Sequence, residues 1–206
     1  MATAGQIAEV NATAKNNLQY GMGTYSAGGE QVDFGYYDTI LIPATTGIIR
    51  MFQEQQGVGG KNLSDTNMIT SGMIPKAQKL IVKAVKVFLS PATAASSLID
   101  AATLVALYAL MKSTTVEFNI ANKYTFGQWT LQELMGPAML VAVEESGEFI
   151  SQPQPSFRGI IPLNNNVILS ENTNFEIRVQ FHETPSAYLA DMRLCINLYG
   201  VLSFAT

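Results

Sequence analysis

The chain has 206 residues and a formal net charge of −4, and only 14% of its residues are charged. Typical soluble domains carry about 25% charged residues, so polar uncharged and small residues replace charge here. Such a surface suits a protein whose flanks are covered by neighbours, although a weakly charged secreted or surface domain would share it. The negative charge argues against a broad nucleic-acid-binding face.

The single cysteine, Cys195, cannot form an internal disulfide, and its isolation favours assembly in a reducing compartment. The N-terminal sequence MATAGQIAEVNATAKN lacks the basic and apolar regions of a signal peptide. No apolar run approaches the roughly 20 residues that span a bilayer. We therefore expect a soluble chain.

Three segments are predicted along the chain. Residues 1–20 place Ile7, Val10 and Leu18 at helical spacing among Ala and Asn, which is typical of an arm that becomes ordered against a partner. Residues 21–36 are rich in glycine and read as a linker. Residues 37–206 are predicted to form one domain.

Most of that domain has the pattern of β-strands. In NTNFEIRVQF, residues 172–181, apolar and polar residues alternate without interruption, which predicts a strand with one buried face. The longest candidate, Lys79 to Pro91, is rich in β-branched residues and apolar on both faces, so we expect it to be covered on both sides. The segment SQPQPSFRG is predicted to be a loop because prolines cannot donate to a ladder.

One substantial helix is predicted in SSLIDAATLVALYALMKS, with Ser97 as its N-cap and Asp100 in its first turn. The helix is apolar on every face, which is typical of a buried helix. A short helical turn is expected in WTLQELMGP. About eight to ten short strands with regular turn signals then predict an all-β fold, a single jelly-roll β-sandwich of about eight strands with the substantial helix inserted.

Three patches of sequence carry a resemblance to a known class of protein. The first is DTNMITSGMIPKAQKLIVKAVKVFL, a loop and a Gly-x-x-Pro entry before a long strand. The second is LMKSTTVEFNIANKYTFGQWTLQEL, a helix end, a strand, a hairpin and a helical turn. The third is IIPLNNNVILSENTNFEIRVQF followed by MRLCINLYGVLSFAT. In this order and spacing they resemble structural proteins of tailless icosahedral phages, including lipid-containing ones with jelly-roll capsid subunits.

The resemblance covers residues 65–135 and 160–206 and implies a β-sandwich subunit of a virion shell, assembled in the host cytoplasm, with no enzymatic activity and no cofactor. Its partners would be copies of itself and other capsid subunits, with an internal membrane as a further candidate and no sequence-specific nucleic acid. The chain departs from double-barrel capsid proteins because it has no internal repeat, so we expect one barrel per chain. The resemblance leaves open whether the subunit is major or minor.

Few residues suggest chemistry. His182 is the only histidine, and its neighbour Glu183 would point to the opposite face of a strand, so a catalytic pair is not expected. Cys195 is predicted to share a face with Arg193 and Asn197 as a small packed residue, because a reactive thiolate needs a histidine and a positive environment. We predict no catalytic residue and no metal site.

Two further groups resemble known sites only superficially. Glu144, Glu145 and Glu148 could suggest a carboxylate pair or a calcium site, but calcium needs six to eight oxygen ligands and no Asp-rich loop supplies them. The glycines of QGVGGK lack the Ser or Thr and the following helix of a phosphate-binding loop. Both groups are predicted to be ordinary surface segments.

The sharpest charge feature is the run Lys76, Lys79, Lys83 and Lys86, which holds four of the twelve Lys and Arg residues. On an uninterrupted strand Lys79 and Lys83 share one face, and Lys76 and Lys86 share the other. The lysines would contact acidic neighbouring subunits or phosphates of lipid or genome. Alternatively, they protect an edge strand from unwanted pairing. The sequence favours neither interpretation.

Overall fold

The computed structural model describes residues 31–91, 101–121, 124–135, 140–145, 148–153 and 160–204. The predicted arm, with Ile7, Val10 and Leu18, and the predicted helix cap at Ser97 lie outside the described residues.

The described chain is mostly β-structure. Two helices are present, α1 (Ala101–Ser113) and α2 (Leu131–Met135), with a short 3-10 helix over Ala187–Leu189. The strands are β1 (Gln31–Leu41), β2 (Gly47–Met51), β3 (Gln78–Pro91), β4 (Thr114–Ile120), β5 (Tyr124–Thr130), β6 (Leu140–Glu145), β7 (Glu148–Pro153), β8 (Ile160–Leu169), β9 (Phe175–Phe181) and β10 (Met192–Phe204).

Eight of these strands form two antiparallel sheets. Sheet A has the order β1-β10-β3-β8 and sheet B has the order β2-β9-β4-β5, while β6 and β7 pair only with each other. Successive strands therefore alternate between the sheets, except at the β4–β5 hairpin. The inner faces of both sheets contribute to one hydrophobic cluster, so the predicted all-β, two-layer architecture is confirmed.

Strand β9 shows how directly the alternating pattern specifies burial. Phe175, Ile177, Val179 and Phe181 are each at most 2% exposed and belong to the core. The intervening polar residues occupy the outer face of sheet B. Burying four such side chains stabilises the fold by roughly 1.5–3 kcal/mol each, which fixes the register of the strand because a slip by one residue would expose all of them.

The predicted boundary between linker and domain is wrong by six residues. Residues 31–36 were expected to belong to the linker, but β1 begins at Gln31 and pairs with β10 from Ser203 to Arg193. Glycines dominate the preceding sequence, whereas Phe34 and Tyr36 already pack against the core. Pairing with the long strand β10 thus makes residues 31–36 part of sheet A, although they follow a glycine-rich segment that resembles a linker.

The predicted faces of β3 are also wrong, because the strand contains a β-bulge. Val82 pairs with Gly200 and Ala84 pairs with Tyr199, so Lys83 has no partner on β10. The extra residue reverses the alternation. The core side chains are therefore Leu80 and Val82 before the bulge, and Val85, Val87 and Leu89 after it.

Helix α1 buries one face and exposes another, although its sequence is apolar on every face. Leu107, Leu110 and Met111 are buried, but Val105 is 69% exposed and Tyr108 is 42% exposed. The prediction of burial on every side is wrong, because the helix covers the sandwich with one face only. Among the described residues no helix combines the length and the apolar character needed to cross a membrane.

The short helix α2 begins with a capping box. Glu133 accepts a hydrogen bond from the backbone N–H of Thr130 at 2.7 Å, and the Glu133 N–H donates to the Thr130 hydroxyl at 3.2 Å. This reciprocal pair satisfies two backbone donors that the first turn would otherwise leave free. The helical turn predicted in WTLQELMGP is thereby confirmed.

The hairpin β6–β7 contains a strand that the sequence did not predict. Ser151 to Pro153 were expected to be loop, yet they pair with Leu140 to Ala142. A two-stranded ribbon has two free edges, and a proline is tolerated where its missing N–H would face such an edge. The hairpin belongs to neither sheet and approaches the body of the protein near α1.

The connection between β2 and β3, residues 52–77, is held against sheet A by buried polar contacts. Asp38 on β1 is fully buried and accepts hydrogen bonds from Lys61 Nζ and from the Phe52 N–H, both at 2.6 Å. The Asn67 side chain donates to the Gly35 carbonyl and accepts from the Tyr37 N–H, each at 2.8 Å. Asn67 therefore makes two hydrogen bonds with the β1 backbone of the kind that a neighbouring strand would make at this edge.

Candidate functional site

The outer face of sheet B neutralises its own charges. Glu176 on β9 is 3% exposed and accepts a hydrogen bond from Arg178 Nε at 2.5 Å, while Arg50 Nε lies 3.8 Å from its other oxygen. Glu117 on β4 accepts a hydrogen bond from Gln128 Nε2 at 3.2 Å. Because these charges have partners within the sheet, this face presents little unsatisfied charge to a partner.

The outer face of sheet A differs, since it carries three lysines on one strand. Lys79 and Lys86 flank the bulge on β3, and Lys83 is the exposed bulge residue itself. We call these three residues the lysine row. The bulge brings together side chains that an uninterrupted strand would divide between two faces. Lys76 lies in the turn before β3 and is exposed, so it is adjacent to the row rather than part of it.

The lysine row does not protect an edge. Strand β3 lies between β10 and β8, so it is a central strand of sheet A, although its ladder with β8 covers only Leu80–Val82 and Ala84–Lys86. The edge strands of sheet A are β1 and β8. The alternative in which the lysines prevent strand pairing at a free edge therefore does not apply to β3.

The charges of the lysine row are also uncompensated. No described carboxylate lies within ion-pair distance of Lys79, Lys83 or Lys86, whereas Lys61, Arg50, Arg178 and Arg193 all pair with acidic residues. Lys86 Nζ lies 5.8 Å from the centre of the Phe88 ring, which is 41% exposed. Lys76 and Lys112 also lack an acidic partner among the described residues, but the lysine row places three such cations on one strand.

A shallow depression of about 320 Å³ adjoins the lysine row on the same face. It is lined by Tyr37, Thr39, Ser64, Phe88, Ser90, Arg193, Cys195 and Asn197. Arg193 donates to Asp65 Oδ1 at 2.7 Å. The Arg193 Nε–H and the Asn197 Oδ1 are buried and have no hydrogen-bond partner within the protein. Because both atoms are buried, they add no hydrogen-bonding group to the surface of the depression.

Cys195 shares this face with Arg193 and Asn197, as predicted, but its thiol is not activated. The side chain is 5% exposed, and burial is the main cause that raises its pKa, opposed by a hydrogen bond with Thr39. A buried thiol with a raised pKa is a poor nucleophile. Cys195 is therefore not activated as a nucleophile.

The other predicted candidates lie apart from the depression. His182 is exposed at the end of β9 and contacts the Thr115 hydroxyl at 3.0 Å. Among the described residues, no group of three or more His, Cys, Asp or Glu side chains is placed to hold a metal ion. Gly57, Gly59 and Gly60 adopt left-handed backbone conformations in the β2–β3 connection, which contains no helix among residues 52–77. The loop predicted for QGVGGK is confirmed.

Trp129 on β5 is partly buried and packs against the core. Its ring lies over Gly127, where an added Cβ would come within 2.1 Å of the indole. The tryptophan is thus a packing residue. The residues of the depression that the sequence did not indicate are Tyr37 and Thr39 on β1 and Ser90 on β3. These two strands flank β10, so the strand register brings the residues together.

No protein-family model, curated protein or solved structure matches this chain.

Proposed function

We propose that the two sheets form a single jelly roll. A jelly roll places eight strands in two sheets through two Greek keys, and a Greek key returns its last strand beside its first. The position of β10 beside β1 and of β9 beside β2 supports this assignment. The β6–β7 hairpin is then an insertion between the fifth and sixth strands of the eight.

We propose that the chain is a structural protein of a viral capsid that assembles with copies of itself and other capsid subunits into an icosahedral shell. The observation that carries the proposal is the uncompensated lysine row on a central strand. Cations without local partners are stable when exposed to water, but their clustering on one face favours an anionic partner surface. The protein acts by assembly, with no reaction and no cofactor, and it resides in the virion.

Weak contacts suffice for such an assembly. Each subunit of a closed shell repeats the same contacts, so individually modest interfaces reinforce one another. The exposed apolar side chains at Val105, Tyr108 and Tyr188 add apolar surface at the helical side of the sandwich. A low content of charged residues is consistent with surfaces that are covered in the assembly.

The proposal is tested by imaging purified protein by negative-stain electron microscopy. Rings, sheets or shells are the expected result, and isolated compact particles at every concentration would contradict it. A truncated chain beginning at Gln31 tests the role of the N-terminal arm. We expect weaker assembly with unchanged thermal unfolding, because β1 and the core are retained.

A second candidate is a receptor- or carbohydrate-binding module of a virion spike. The depression favours it, because its lining combines the polar residues Ser64 and Ser90 with the exposed ring of Phe88. Aromatic faces and hydrogen-bonding groups together are typical of small-molecule sites. A screen of immobilised glycans distinguishes the candidates: saturable glycan binding by a discrete small oligomer would favour the module over the shell subunit.

A further inference from the structure

We propose that the lysine row is the docking site for the acidic tip of the β6–β7 hairpin of a second copy of this chain. The inference rests on the proposed function and specifies one contact within the assembly. It joins two features that the structure leaves unexplained. One is a set of cations without acidic partners, and the other is a hairpin that belongs to neither sheet.

The tip of the hairpin concentrates negative charge. Glu144 and Glu145 end β6, and Glu148 begins β7. Glu145 and Glu148 are directly opposed in the ladder. Like charges at opposed positions destabilise a β-ribbon, and a cationic surface that receives the tip would remove this repulsion.

The dimensions of the two surfaces match best at the bulge. Lys83 and Lys86 are three residues apart, which corresponds to about 10 Å along a strand. A two-stranded ribbon has a backbone separation of about 4.8 Å, so both lysines can contact the end of one ribbon. Lys79 lies farther along β3 and would contact only the rim of the tip.

The neighbouring strand leaves space and hydrogen-bonding groups beside Lys83. Residues 163–166 of β8 are not paired with β3, because pairing passes from Val167 directly to Pro162. Asn165 and Asn166 in this segment are exposed. Their side-chain amides can donate hydrogen bonds to carboxylates, in addition to the charge-assisted bonds of the lysines.

The contact is heterologous, because the lysine row and the hairpin tip are different surfaces. Heterologous contacts propagate from subunit to subunit and produce rings when the rotation closes. Within one chain the hairpin approaches the body near α1, so each copy would keep its own lysine row available for a neighbour. Such a contact provides the directional link that a shell requires.

Charge reversal of both surfaces tests the contact. The variants are Lys83→Glu/Lys86→Glu, Glu145→Lys/Glu148→Lys, and the chain that combines all four changes. Sedimentation velocity measures the protein concentration at half-assembly. Each double variant is expected to raise it about tenfold or more, and the combined variant is expected to recover assembly because the attraction is restored with inverted signs. Salt near 1 M, where the Debye length is about 3 Å, is expected to weaken the wild-type contact.

Two control variants make the same change in net charge elsewhere. Lys76→Glu/Lys112→Glu reverses two exposed lysines outside the row, and Glu183→Lys/Asp191→Lys reverses two exposed acids outside the hairpin. Both are expected to assemble like the wild type. Thermal unfolding of every variant, followed by circular dichroism, separates lost assembly from lost folding.

The outcomes distinguish this contact from the proposed function. If the wild type assembles and the double variants assemble equally well, the contact is wrong and the shell function stands. If the double variants fail and the combined variant does not recover, the two surfaces serve separate contacts and the pairing is wrong. If the wild type never assembles, the shell function fails and the contact fails with it.

Discussion

The buried ion pair between Asp38 and Lys61 gives the sharpest test of how the β2–β3 connection is held. Asp38 is fully buried and Lys61 is 16% exposed, with 2.6 Å between Nζ and Oδ1. The second carboxylate oxygen accepts the Phe52 N–H, and Phe52 has a left-handed φ of 67°. The carboxylate therefore stabilises both a charge and a backbone conformation that non-glycine residues seldom adopt.

Replacing Asp38 by Ala leaves the Lys61 ammonium and the Phe52 N–H without their partner. Breaking a buried ion pair on one side costs about 3–5 kcal/mol, and leaving a buried N–H without a partner costs about 1–3 kcal/mol. Lys61→Met leaves the carboxylate buried and unpaired, so a loss in the same range is expected. The double variant Asp38→Ala/Lys61→Met removes both charges, and its loss should be smaller than the sum of the two single losses by about 1–3 kcal/mol.

Urea unfolding of dilute protein measures these free energies, and the fluorescence of Trp129, the single tryptophan, reports the transition. Trp129 lies on sheet B, whereas Asp38 lies on sheet A. If the two sheets unfold together, the Trp129 fluorescence shows a single transition, and variants at Asp38 shift its midpoint. The argument that Asp38 and Lys61 form a coupled, buried pair would be refuted in two ways. Each single variant could lose less than about 1 kcal/mol of unfolding free energy, or the two losses could simply add in the double variant.

Three further predictions concern individual residues. Burial raises the pKa of Tyr36 from 10.0 to about 12, so its contribution to stability is complete below pH 10 and is lost as the pH rises toward 12; alkaline unfolding of Tyr36→Phe should lack this component. Gly200→Ala places a Cβ within 1.8 Å of the Ile81 carbonyl oxygen, and its melting temperature should fall well below that of Gly35→Ala, whose Cβ meets only a side chain; equal melting temperatures would contradict the packing of the bulge. Asn67→Ala removes two backbone hydrogen bonds at the β1 edge and should cost about 1–3 kcal/mol in urea unfolding, and an unchanged midpoint would show that water replaces the amide.

The sequence predicted the features of this fold that depend on local patterns, and it missed those that depend on contacts between distant segments. The alternation in β9 is a local pattern and identified its buried face residue by residue. The faces of β3 could not be obtained in this way, because the bulge at Lys83 lies opposite Tyr199 and Gly200, on a strand more than a hundred residues later whose backbone approaches Ile81 closely. A single glycine in a distant segment carries no local sign that it will shift another strand.

The sequence predicted the positive charges of the candidate site, but it did not predict where these charges lie in the fold. The run of lysines is visible in the sequence, but whether β3 is an edge or a central strand depends on the order of strands in the sheet. The burial of Glu176 was likewise hidden, because the alternation placed it on the polar face, and its burial depends on Arg178 beside it and Arg50 on the neighbouring strand. Pairing across strands determines both features.

The most direct measurement is a concentration series of the wild-type chain in sedimentation velocity at low salt. If subunits tile through repeated weak contacts, the monomer peak should stay nearly constant above a threshold concentration while large, discrete species accumulate. A sedimentation coefficient that stays at the monomer value over the whole range would contradict assembly as the role of this protein.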